Sequence, residues 1–189
     1  MNSLKITIVG SGYVGMSLAV LLAQDNEVVV LDIDQSRVEK INNKKSTVRD
    51  SEIEEFLIKK DLNITATLDK GSAYNVANYI VIATPTDFNP DNKYFDTRSV
   101  DSVLKDALHF NKDALIIIKS TIPIGYTKLL TEKHNTKRII FSPEFLREGQ
   151  ALKDNLHPSR IIIGSENQSG KTFANLLVAG AKKKNINIL

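Results

Sequence analysis

Two glutamates, Glu144 and Glu148, stand four residues apart in the stretch RIIFSPEFLREGQAL (residues 138–152), with Arg147 between them. On a helical turn that spacing sets both carboxylates on one face. Many surface helices carry such pairs for solubility alone. In a cleft that holds water off, the same pair can move protons. An apolar run at residues 139–141 and a Ser-Pro step come immediately before. The stretch is therefore either a solvated turn after a strand or a site that needs acids.

A second constellation lies near the other end. IVGSGYVGMSLAVLL contains Gly10-x-Gly12-x-x-Gly15, with Tyr13 and Val14 inside the motif. The pattern alone is weak. Here it follows an apolar strand, opens a helix and precedes a second strand, EVVVLD, that ends in Asp32, 17 residues after Gly15. That context is a βαβ unit with a dinucleotide fingerprint. Gly10 permits the tight turn, Gly12 lets the backbone approach a pyrophosphate, and Gly15 allows helix and strand to pack closely. The helix N-terminus supplies a positive field. Asp32 would accept hydrogen bonds from a ribose diol and repel a 2′-phosphate, which favours NAD over NADP. Arg37, five residues on, is expected near the adenosine end; the alternative, that it reads a 2′-phosphate, is opposed by Asp32. The bland alternative is three glycines that shape a turn, with Asp32 as a helix cap.

GSENQSGKT, residues 164–172, resembles a phosphate-binding P-loop but leaves five residues between Gly164 and Gly170 where that loop needs four. Glu166 would also oppose a triphosphate. A polar turn opening a helix is the better reading.

These residues need a frame. Short apolar runs recur at residues 5–9, 27–31, 63–67, 79–83, 114–119, 138–141, 160–163 and 186–189. They are nearly continuous in hydrophobicity, as strands covered on both faces are. Helical spacing fills residues 14–24, 37–41, 100–108 and 173–181. The alternation predicts an α/β fold: a Rossmann-like, doubly wound, mostly parallel sheet with helices on both faces. Three of the strands run into a hydroxyl and a proline: Thr84-Pro85-Thr86, Ser120-Thr121-Ile122-Pro123 and Ser142-Pro143-Glu144. Proline steers the chain out of the sheet, and the hydroxyls are expected at the rim, where open parallel sheets bind ligands. The long loop at residues 86–96 is a further candidate for function.

Composition narrows the classes. The 189 residues are 42% hydrophobic and 25% charged, with net charge +3, enough for a substantial core and too mixed in sign for a nucleic-acid surface. The dense basic run, Lys182 to Lys184, is expected to end a helix, where cations suit the dipole. With no cysteine there can be no disulfide, thiolate metal site or cysteine nucleophile on this chain. No metal site is expected. No apolar run approaches the ~20 residues of a membrane span. The opening MNSLKITIVG passes straight into a strand, so a cytoplasmic protein without a leader is expected.

The segments GSGYVG, ATPTDFN with YFDT, KSTIPIG and SPEFLREGQALKDNLHPSRIIIG, in that order, resemble the UDP-glucose branch of the UDP-glucose/GDP-mannose dehydrogenase family. The resemblance covers residues 5–189. It implies oxidation of the C6 alcohol of UDP-glucose to the carboxylate, with two NAD and a water, through a thioester on a cysteine. It implies that Glu144 assists water attack on that thioester and that Thr121 positions the water. NAD contacts are implied at the glycine loop with Tyr13 and Val14, at Asp32, Arg37 and Thr86, and at Thr121 and Glu148. Substrate contacts are implied along Glu144, Phe145, Leu146, Arg147 and Glu148. Phe145 stands where an arginine would point toward the UDP-N-acetylhexosamine branch.

The family pattern continues into a connecting helix and a second domain that bears a lysine, an asparagine, the cysteine nucleophile and an aspartate. This sequence has no cysteine and closes on KKKNINIL, an apolar end that suggests truncation. The expectation is an NAD-binding N-terminal domain over residues 1–189 that is inactive alone, and monomeric or weakly associated where the whole enzyme is a homodimer. A GDP-mannose or UDP-N-acetylhexosamine dehydrogenase, and a non-catalytic NAD-binding module, stand as alternatives.

Overall fold

A computed structural model describes residues 3–90, 94–165 and 167–189. Its centre is a six-stranded parallel sheet built from β1 (Lys5–Val9), β2 (Glu27–Leu31), β3 (Ile64–Thr67), β4 (Tyr79–Ile82), β7 (Leu115–Ile118) and β8 (Ile139–Phe141). The strand order is β3-β2-β1-β4-β7-β8. The chain runs outward from β1 to one edge, returns, and runs outward to the other, so the order reverses between β1 and β4. That crevice is where doubly wound sheets bind nucleotides.

Alternation along the strands splits the core in two. Ile6, Ile8, Val28, Val30, Val81 and Ile117 pack with α1 (Tyr13–Leu22), α2 (Gln35–Asn42), α3 (Ser51–Lys59), α7 (Ala151–Leu156) and α8 (Gln168–Gly180). Val9, Leu31, Ile80, Ile82, Ile116 and Ile118 face α4 (Lys70–Tyr74), α5 (Arg98–Phe110) and α6 (Tyr126–Lys133). Burial on both faces explains why the strands read as unbroken apolar runs. Helix α1 is buried over nearly its whole length, from Gly15 to Leu22, between sheet, α7 and α8.

Several expectations need correction. The runs at 160–163 and 186–189 do form strands, β9 (Arg160–Ile161) and β10 (Asn187–Ile188), but they pair with each other outside the main sheet. Within the loop at 86–96, β5 (Phe88–Asn89) and β6 (Tyr94–Phe95) make a small antiparallel hairpin with the Phe88 and Phe95 rings 5.1 Å apart. Residues 91–93 of that loop lie outside the described residues. Lys182 to Lys184 lie beyond the end of α8 instead of in its last turn; the Lys182 and Lys183 N–H groups donate to the Leu156 carbonyl. The basic run therefore fastens to the end of α7 instead of answering a dipole.

Helices α3, α4, α6 and α7 went unread. For α3 a signal exists: Asp50 caps it by accepting from the Glu52 and Ile53 N–H groups, and Ile53, Phe56 and Leu57 follow at helical spacing. Among the described residues no helix is long and apolar enough to cross a membrane.

Candidate functional site

The register brings the strand ends into line. Thr67, Leu31, Val9, Ile82, Ile118 and Phe141 form one row across the sheet. Ladder hydrogen bonds hold the next residue as well: the N–H groups of Gly10, Ala83, Lys119 and Ser142 donate to Leu31, Val9, Ile82 and Ile118 respectively. The glycine loop, Asp32 and the segment leading to Glu144 thus leave the sheet from one edge. Four strand spacings separate β2 from β8, about 19 Å.

At the glycine loop the backbone does the work. Gly10 has φ of +98°, and a Cβ there would lie 2.7 Å from the Ala83 carbonyl oxygen. At Gly15 a Cβ would come within 1.9 Å of the Gly10 carbonyl oxygen. A Cβ at Gly12 meets nothing within 4 Å, so the protein leaves open the space in front of it. Gly12 is also the N-cap of α1 and offers no side-chain acceptor. Helices α2, α3, α4 and α8 instead begin at Asp34, Asp50, Asp69 and Asn167, whose side chains take N–H groups of the first turn. The first N–H groups of α1 are left without a side-chain cap, as anion binding requires.

Asp32 is buried at the end of β2 and does not cap α2; Asp34 does. Its Oδ2 accepts from the Ser11 N–H at 2.9 Å and the Ser11 hydroxyl at 2.5 Å. Its Oδ1 accepts from the Ile33 and Asp34 N–H groups at 2.8 and 3.1 Å. All four acceptor sites of the carboxylate are filled. The Ser11 hydroxyl is the one of these donors that can rotate away. Next to Asp32, Ile33 stands 97% exposed, an apolar side chain in water that sequence reading passed over. Arg37 lies in the first turn of α2, 3.8 Å from the Asp34 carboxylate. Tyr13 and Val14 are half-buried at the start of α1.

The hydroxyls at the other strand ends divide. Thr121 is exposed and Thr86 half-buried at the edge. Ser120 and Ser142 turn inward and are buried. The Ser120 hydroxyl donates to the Thr84 carbonyl at 2.6 Å, tying two strand ends together. The rim expectation holds for the threonines and fails for these serines.

Residues 142–150 are extended loop and turn, not helix. Glu144 and Glu148 therefore do not share a helical face. Arg147 to Gln150 form a turn, closed by the Gln150 N–H donating to the Arg147 carbonyl at 3.0 Å, with Gly149 at φ of +77°. Glu148 is exposed on that turn. The Arg147 guanidinium folds back onto α7, donating to Asp154 at 3.1 and 2.7 Å. Hydrogen bonds from Arg147 hold the Asp154 carboxyl below its ordinary range. Phe145 is 57% exposed, with the Arg160 guanidinium 4.4 Å from its ring centre. Beneath the segment lies a cavity of about 170 Å³ lined by Lys119, Glu144, Phe145, Leu146, His157 and Arg160.

Glu144 has only 19% of its side chain exposed, and burial pushes its carboxyl up to about 7, partly offset by the Lys119 charge. Lys119, 5% exposed with Nζ 3.9 Å from Glu144 Oε2, is pushed down to about 8 by burial. Sequence reading did not single out Lys119. The signal was a lysine directly after four buried apolar residues of β7, where a charge has no solvent to reach.

The stretch at 164–172 is no phosphate loop. The N-terminus of α8 is closed by its own Asn167, whose side chain accepts from the Gly170 N–H at 2.8 Å. Glu166 lies outside the described residues. Among the described residues no group of three or more His, Asp or Glu could hold a metal ion.

Comparison with known proteins meets this geometry. The model of the UDP-glucose/GDP-mannose dehydrogenase family, NAD binding domain, matches residues 4–179. The UDP-glucose 6-dehydrogenase of Streptococcus pneumoniae is 51% identical over 192 residues, covering 98% of this chain and 49% of that enzyme. That of Campylobacter jejuni is 49% identical over 187 residues, covering 98% and 48%. Among solved structures, a UDP-glucose dehydrogenase from the archaeon Pyrobaculum islandicum matches with a TM-score of 0.83 at 25% identity, over 100% of this chain and 46% of that one. The chain spans about half the length of the curated relatives it matches.

Proposed function

This chain belongs to the UDP-glucose/GDP-mannose dehydrogenase family and carries its NAD-binding fold; on that premise we propose that it is the cofactor half of a UDP-glucose 6-dehydrogenase. The whole reaction would convert UDP-glucose, two NAD and a water to UDP-glucuronate and two NADH. The observation that carries the proposal is the single row of strand ends that sets the uncapped α1 and the Glu144 segment along one edge.

Bound NAD supplies the hydride acceptor. The α1 N-terminus would hold the pyrophosphate over Gly12, with Tyr13 and Val14 beside it. A ribose hydroxyl would take the place of the Ser11 hydroxyl on Asp32, and the exposed Ile33 would offer an apolar surface to the adenine. Thr86, Thr121 and Glu148 would also contact the cofactor, with Arg37 toward the adenosine end. Residues Glu144 to Glu148 line the sugar. Glu144 is the base that assists water, since a carboxyl near neutrality can take a proton and return it at working pH. Thr121, exposed at the edge, positions that water. Arg147 acts through Asp154, holding the segment on α7.

The nucleophilic cysteine would come from outside these residues, which have none. The remaining length of the relatives is where we place it, with the connecting helix and the dimer contact. Residues 1–189 are then an NAD-binding domain, monomeric or weakly associated alone, in a cytoplasmic enzyme.

Thermal melting with NAD, NADP, ATP-magnesium and UDP-glucose tests the reading. NAD at about 100 times its dissociation constant adds roughly 2.7 kcal/mol, a shift of about 5–10 °C. A shift with NAD alone is expected; an equal shift with NADP or ATP-magnesium contradicts it. Fusing the chain to the second half of the Streptococcus pneumoniae enzyme should give two NADH per UDP-glucose. Turnover of GDP-mannose or a UDP-N-acetylhexosamine instead would move the substrate, and NAD binding without turnover of any would favour a non-catalytic module.

A further inference from the structure

Lys119 is an anomaly of the sheet. Its backbone continues β7, with its N–H donating to the Ile82 carbonyl at 2.9 Å, so the residue is fixed by the ladder. The side chain does not reach out to water; it crosses to the end of β8 and stays buried. There it meets three consecutive residues. Nζ lies 3.1 Å from the Pro143 carbonyl oxygen, 3.5 Å from the Ser142 hydroxyl and 3.9 Å from Glu144 Oε2. Of the three N–H donors of the ammonium, two meet Pro143 and Ser142, and the charge faces Glu144 as an ion pair without a hydrogen bond. Glu144 Oε2 is itself buried and takes no hydrogen bond among the described residues. The lysine charge is what offsets that burial.

A buried lysine opposite a mostly buried acid is a poor way to gain stability, because an apolar side chain in the same place avoids the desolvation. The segment it grips has no helix to hold it, and Pro143 has no N–H with which to join a ladder. We propose that Lys119 is a positioning residue for Glu144, its ammonium gripping residues 142–144 together and so fixing where that carboxylate stands and which charge it meets. This rests on the reading of Glu144 as the base; the grip itself stands without it.

The other ionisable groups around the same cavity are Asp154, His157 and Arg160. Asp154 is taken by Arg147, and Arg160 lies over the Phe145 ring. His157 is exposed. Lys119 alone among these makes an ion pair with Glu144 in the described residues. The pull between the two is reciprocal: burial raises the proton affinity of Glu144 and lowers that of Lys119, while each partner's charge acts against that shift.

The test uses this chain with carbon-13 in the glutamate carboxyls and lysine side chains, titrated by NMR. Glu144 should titrate near 7 in the parent chain. In Lys119→Met it should titrate higher, by about one pH unit or more. Lys119→Arg, which keeps a cation, should bring it back toward the parent value. In Glu144→Gln the Lys119 midpoint should fall below that of the parent. A Glu144 midpoint unmoved in a folded Lys119→Met chain overturns the proposal. Should Lys119→Met not fold, an unmoved Lys119 midpoint in Glu144→Gln overturns it equally. The titration needs neither NAD nor sugar. A chain that fails to bind NAD yet shows the coupling sinks the functional reading alone, and one that binds NAD without the coupling sinks this inference alone.

Discussion

The two ends of the row of strand tips are built in opposite ways. Between β1 and β4 the loop works by what it lacks: no side chain at Gly10, Gly12 or Gly15, and no acid capping α1. Between β7 and β8 the segment works by what is largely withdrawn from water: a buried lysine and a mostly buried glutamate 3.9 Å apart. The first is a matter of shape and is insensitive to pH. The second is a matter of charge in a poor solvent, and its state changes near neutrality. A cofactor that must be held alike in every turnover suits the first; a group that must take up and release a proton suits the second.

The largest effect that could break this contrast lies in the glycine loop. Gly15→Ala places a Cβ 1.9 Å from the Gly10 carbonyl oxygen, and backbone cannot yield cheaply there. We expect a loss of about 3 kcal/mol or more, read as a drop of about 6–12 °C in Tm. A variant that melts with the parent chain would mean the loop is not a close-packed shape.

Next comes the pH dependence of stability at the other end. Glu144 is raised from its ordinary 4.5 to about 7, so the folded chain holds an extra proton between those values. Stability therefore falls as pH climbs from about 4.5 to about 7 and stays lower above. Lys119 is lowered from 10.5 to about 8, so stability recovers as pH climbs from about 8 toward 10.5. Urea unfolding at pH 5 and pH 7.5 should show the Glu144 fall, of order 2–3 kcal/mol, in the parent chain and a clearly smaller one in Glu144→Gln. Equal falls in both chains would place the charge elsewhere.

The smallest effect sharpens the cofactor end. Ser11→Ala frees one acceptor site on Asp32 that a ribose hydroxyl is to occupy. Calorimetry should find NAD bound about 2–5-fold more tightly, a change of about 0.5–1 kcal/mol. Weaker binding would mean that the serine hydroxyl touches the cofactor instead of standing in for it.

The two ends also differed in how well the sequence announced them. The glycine loop, its strand and helix, and the place of Asp32 were legible because the constraint is local: each residue's geometry follows from its own conformation and its place in a βαβ unit. The strands of the main sheet were legible for the same reason, since burial on both faces writes itself as apolar runs. The Glu144 end was legible only as residue types. Spacing suggested a shared helical face, whereas Pro143 and Gly149 set an extended segment and a turn. Lys119 stayed hidden because its significance depends on Ser142, Pro143 and Glu144 arriving beside it from another strand. The inward turn of Ser120 and Ser142, and the pairing of β9 with β10 apart from the sheet, are likewise decided by neighbours far along the chain.

The central claim is that α1 holds a dinucleotide close over Gly12, where an added Cβ would meet no protein atom within 4 Å. Gly12→Ala tests it most directly, with Tm and calorimetric titration of NAD measured on the same preparation. The account predicts a fold changed by about 1 kcal/mol or less and NAD binding lost, since the methyl group fills the ground that the pyrophosphate needs. NAD binding equal to that of the parent chain would contradict it.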